Sequence, residues 1–161
     1  MARSWMARAV CPRLSSCHER ILMKLFAAAL LLSATTFAHA QGAPNQEAID
    51  AAKKAADTWL ALVDAGQYKA SWEQAAEPLR KAVSVTQWEQ GSRAARMPVG
   101  ALQGRTLASS TYTTTLPGAP QGQYVVLEYT TRFADRANAV ETVIPTLEAD
   151  GKWRMAGYFL K

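Results

Sequence analysis

At Gly100 the spacing of apolar residues changes from helical to strand-like, and this change constrains the fold more than any single motif. Before it, Ile49, Ala52, Ala56, Trp59, Leu60 and Val63 fall on one face of an amphipathic helix. Asp50, Lys53, Lys54, Asp57 and Asp64 occupy its other side. Asn45 is placed to cap the start of this helix and Gly66 to end it. A second helical piece begins at Tyr68, with Trp72, Ala75 and Ala76 on its face. Pro78 interrupts it, and residues 79–85 resume as a short turn of helix. Thr86 and Glu89 have the spacing of a capping box, so a third helix is expected from Thr86 to about Met97, stopped by Pro98.

After Gly100 four strands are expected, at 102–114, 124–133, 139–148 and 153–160. Asp150-Gly151 is a strong hairpin signal between the last two. Pro145 inside the third strand calls for an edge position or a bulge. Strict alternation puts Trp153, Met155, Gly157 and Phe159 on one apolar face of the last strand. The expected fold class is α+β: three N-terminal helices packed on one face of a four-stranded antiparallel meander, with a cone-like shape.

The N-terminal part reads as something other than this domain. Met23-Lys24 opens an apolar run through Leu32, and Ala38-His39-Ala40 closes it with small residues. A charged start, a short apolar stretch and a small-x-small tail make a signal peptide over 23–40, with cleavage expected after Ala40. The run is too short to span a bilayer, which needs about 20 residues. Residues 1–22 read as an annotation extension or a long basic n-region, 41–46 as a polar lead-in, and 47–161 as one domain. The expected location is the periplasm, with no membrane span after processing.

Removing the leader changes the charge argument. Five of the 18 Lys and Arg and one of the 13 acids precede residue 41, which leaves 13 basic against 12 acidic residues. The pI near 9.4 of the whole chain thus belongs to the leader, and a nucleic-acid partner is not expected of a nearly neutral domain.

The runs Trp59 to Tyr68, Ser71-Trp72, Gln87-Trp88 and Pro98-Val99-Gly100 resemble an exported family, domain of unknown function 4019. So do Leu116-Pro117-Gly118, Tyr124-Val125-Val126, Val140 to Val143, and the ending from Asp150 to Tyr158. The resemblance covers roughly residues 47–161 and implies export and these domain limits, but no activity. The helices-then-sheet order also resembles, in architecture alone, the nuclear transport factor 2-like cone.

Residues 41–161 contain no Cys and no His. That removes Ser-His-Asp and Cys-His nucleophile systems, the usual zinc ligands and His or Cys ligation of haem. No phosphate loop is present, and no metal or cofactor is expected. Carboxylates are the remaining acid/base groups. Glu141 alternates with Ala139, Val143, Pro145 and Leu147, and a carboxylate on so apolar a face is either paired or shifted in pKa. The structural reading is a salt bridge to Arg96 or Arg105; the functional reading is a general base.

The aromatic residues either fill the core or line a pocket between helices and sheet. Tyr112, Tyr124, Glu128, Glu141, Arg96 and Trp88 are the candidate pocket residues, and no set of residues forms a recognisable catalytic constellation. Three functions fit: a non-enzymatic binding or accessory domain for an apolar small molecule or an envelope protein, a small enzyme using carboxylate or Tyr chemistry, or a module that homodimerises through its sheet.

Overall fold

Helix α1 spans Gln46–Asp64 in a computed structural model that describes residues 45–161. The expected signal at 23–40, the extension before it and residues 41–44 of the lead-in lie outside the described residues. Ala52, Ala56, Trp59, Leu60 and Val63 are buried along one side of α1, as their spacing requires. Gly66 ends the helix at φ +70°. Its N–H donates to Val63 O at 3.0 Å, and Gln67 N–H donates to Leu62 O at 2.8 Å, the paired bonds of a Schellman motif. Asn45 holds the N-cap position, but its side chain makes no capping bond.

Three shorter helices follow: α2 (Tyr68–Glu73), α3 (Glu77–Ala82) and α4 (Val85–Arg96), then a 3-10 turn at Met97–Val99. Among the described residues the helical layer therefore has four α-helices where three were expected. Pro78 starts α3 instead of only breaking α2, because a first-turn position has no N–H bond to lose. The capping box of α4 is Ser84 with Gln87, two residues before the expected Thr86 and Glu89. Ser84 is extended and exchanges both bonds with Gln87, whereas Thr86 already lies inside the helix.

Buried Ser71 ties these helices together. The Trp59 indole N–H donates to Ser71 O at 2.7 Å, and the Trp88 indole N–H donates to Ser71 Oγ at 2.9 Å. Loss of either indole would remove a large buried side chain and strand a polar partner.

The sheet is a meander in the order β1-β2-β3-β4, antiparallel throughout. Strands β2 (Tyr124–Phe133) and β4 (Trp153–Leu160) match their expected limits, while β1 (Leu102–Thr113) and β3 (Ala139–Leu147) each end one residue early. Helix α1 packs across all four strands. Its buried side joins Val125, Leu127, Tyr129, Val143 and Met155 in the main core, and Val99, Phe133 and Ala139 form a smaller one.

A bulge corrects the expected face of β4. Ile144 pairs with Gly157 but Pro145 pairs with Met155, which leaves Ala156 as an extra residue. Pro145 thus lies on an interior strand and opposite a bulge. Alternation changes phase there, so Met155 is buried while Phe159 is 53% exposed. Tyr158 and Leu160 pair with Val143 and Glu141 and share their inward face.

Candidate functional site

The sheet's inward face carries a buried carboxylate, and four elements supply its partners. Glu141 on β3 is fully buried. Its Oε1 accepts from Arg96 Nη1 at 2.9 Å and from the Tyr158 hydroxyl at 2.6 Å. Its Oε2 accepts from Arg105 Nε at 2.6 Å and from Thr131 Oγ1 at 2.7 Å. Asp64, in the last turn of α1, bridges the same two guanidiniums: Arg96 Nη2 donates to its Oδ1 at 2.6 Å, and Arg105 donates through both Nη atoms. Two cations face two anions, so the cluster carries no net charge. Arg96 also lies over the Phe133 ring, 4.6 Å from its centre.

Electrostatics follows from this packing. Burial, and then the negative charge of Glu141, push the Tyr158 phenol well above its ordinary range, so it stays a donor. Burial opposes the charge on Arg105, but its bonds to Asp64 and Glu141 more than offset that, and the guanidinium is held above its usual range. Any partner of this buried ion cluster left unpaired would be costly.

Three of the six candidate pocket residues converge here. Arg96 and Glu141 are in direct contact, and Trp88 lies beside them, its ring centre 6.5 Å from that of Tyr158 and 5.7 Å from that of Trp59. The other three lie elsewhere. The Tyr112 hydroxyl donates to Gln123 Oε1 at 3.1 Å, and buried Tyr124 donates to Pro120 O at 2.8 Å beside a polar groove. Glu128 is exposed on the opposite face of the sheet, where it accepts from Ser109 Oγ.

Asp64 corrects the helical reading, which put it on the solvent side: its side chain is only 18% exposed. A carboxylate in the last turn of a helix opposes the helix dipole, and that mismatch was the available signal of a cationic partner. Tyr158 was hidden by the bulge, and Thr131 carries no sequence signal of its role.

Next to the ion cluster, between α4 and β4, lies an apolar cleft of about 230 Å³, bordered by Trp88, Gly91, Ser92, Ala95, Tyr158 and Leu160. A wider groove of about 600 Å³ runs between α1 and β4 past Trp59 and Trp153. Among the described residues, no group of three or more His, Cys, Asp or Glu gathers to hold a metal ion. No helix among them is long and apolar enough to cross a membrane.

Helices layered on one face of a four-stranded meander, pinned by a buried ion cluster, define a small α+β domain. The chain belongs to the family described as protein of unknown function (DUF4019), which matches residues 55–158. No curated protein and no solved structure matches it.

Proposed function

We propose that this is an exported envelope protein whose domain acts by binding rather than by catalysis. One observation carries this reading: both oxygens of Glu141 are occupied by four donors. A general base needs a free lone pair facing its substrate, and Glu141 is instead a structural post. The Tyr158 hydroxyl is spent on the same carboxylate. The leader at 23–40 supports export. The test is to express the chain with its own leader and recover it from the periplasm for N-terminal sequencing and native mass spectrometry. A start at Gln41 and a stoichiometric small-molecule adduct are expected. A retained Leu30–Leu32 would end the export reading. A bare protein whose melting temperature no member of an apolar ligand panel raises would end the binding reading.

A second reading rests on the sheet face turned away from the helices, where Val140 is 42% and Phe159 53% exposed. An apolar face of that kind supports self-association. Light scattering would show a dimer that Phe159→Asp abolishes; a monomer at high concentration would sink this reading.

A further inference from the structure

We propose that the cleft between α4 and β4 binds a small, neutral, mostly apolar molecule of single-ring size that carries one hydrogen-bonding group. The inference rests on the binding reading above and assigns it a place and a ligand class.

The first observation is Ser92. It borders the cleft, is 5% exposed, and its Oγ has no hydrogen-bond partner among the described residues. Buried hydroxyls in native proteins are satisfied, so one left open beside a cleft marks where a ligand's polar group fits. Three neighbouring polar groups are committed: Trp88 Nε1 to Ser71, the Tyr158 hydroxyl to Glu141, and Gln87 Oε1 to the Ser84 N–H. A ligand in the cleft therefore lies beside one buried hydroxyl without a partner, on a wall that is mostly apolar and has Gln87 at its edge.

The second observation is Gly91, inside the 12-residue helix α4. Glycine weakens a helix interior relative to alanine. Nothing in the packing demands it, because a Cβ added there would meet no atom within 4 Å. Its effect is to leave the wall of the cleft open. Size and charge narrow the ligand further. An engineered apolar cavity of about 150 Å³ takes up benzene, so about 230 Å³ accepts one ring with a short substituent. The adjoining ion cluster is neutral and internally satisfied, so no charge on the ligand is called for.

The test titrates phenol and toluene into the periplasmic protein and follows backbone amides by NMR. Phenol should shift Gly91, Ser92, Ala95 and Leu160 saturably. Ser92→Ala should weaken phenol roughly 5- to 10-fold, the worth of one hydrogen bond, and leave toluene within about twofold. Gly91→Leu should abolish both, while Gly91→Ala should fold with a raised melting temperature. If Gly91→Leu fails to fold, the Ser92→Ala contrast between the two probes decides, and equal effects on both overturn the proposal. A folded Gly91→Leu that still binds overturns it as well. If these amides stay silent while the protein still carries an adduct, this site falls and the binding reading stands.

Discussion

Asp64 and Arg105 lie 41 positions apart in the chain and are joined by two hydrogen bonds, Nη1 to Oδ2 at 2.8 Å and Nη2 to Oδ1 at 3.0 Å. The planar fork of a guanidinium matches a carboxylate in this way, and the pair fixes the end of α1 over the start of the sheet. Arg96 adds a second cation to Asp64. The unfavourable position of Asp64 at a helix C-terminus is thereby compensated.

The cluster should rank its members by burial. Glu141→Gln should cost about 3–5 kcal/mol, because it leaves two guanidiniums short of a counter-charge. Asp64 is partly wet at 18% side-chain exposure, so Asp64→Asn should cost less, about 1–3 kcal/mol. Urea unfolding of both variants checks the order. A Glu141→Gln protein as stable as wild type would mean that the carboxylate is not a structural post.

Alkaline pH should weaken the fold through Tyr158. Its folded pKa is raised, so its contribution is fully present below the unfolded phenol value of 10.0 and is lost as pH rises from there toward the folded value. Tyr129 is shifted the same way, by burial and then by Asp57. Ultraviolet titration should show Tyr129 and Tyr158 failing to ionise in the ordinary phenol range. Tyr158→Phe should flatten the alkaline loss of stability, and an unchanged slope would contradict this.

Acid pH acts at the last hairpin. Asp150 is lowered to about 2, chiefly by its hydrogen bond to Arg154. A depressed carboxylate stabilises above its unfolded value of 3.8, and that contribution is lost as pH falls through about 2. Carbon-detected NMR of the Asp150 carboxyl should give a midpoint near that value. Titration near the unfolded value would remove the pair from solution.

The β4 bulge makes a contrast within one strand. Met155 is buried and Phe159 half-exposed. Met155→Ala should cost about 2–5 kcal/mol and Phe159→Ser less than about 1 kcal/mol in the monomer. Comparable costs would restore the unbroken alternation read from the sequence.

Much of this fold was legible because local rules and tertiary packing agree. The strands 124–133 and 153–160 stand between turn residues, and burial alternates clearly along 125–133. The start of α4 was ambiguous because Ser84-x-x-Gln87 and Thr86-x-x-Glu89 carry the same pattern, and only the extended backbone at Ser84 selects between them. The phase of β4 was not legible, since Ala156 looks like any strand residue until Pro145 is paired across from Met155. Glu141 announced itself as a charge on an apolar face, but Tyr158 could join it only after the bulge had turned it inward. Ser92 gives no sequence signal, because a serine within a helix normally faces water or its own backbone.

The ion cluster also bears on how long the native state lasts once formed. Its ion pairs close over 32 to 45 positions, so they can form only after α1, α4, β1 and β3 have met. Until then the four charges remain hydrated and contribute little to the nucleus of folding. Contacts made after the transition state act mainly on the rate of unfolding. The cluster is therefore a latch: it slows escape from the native state more than it speeds arrival.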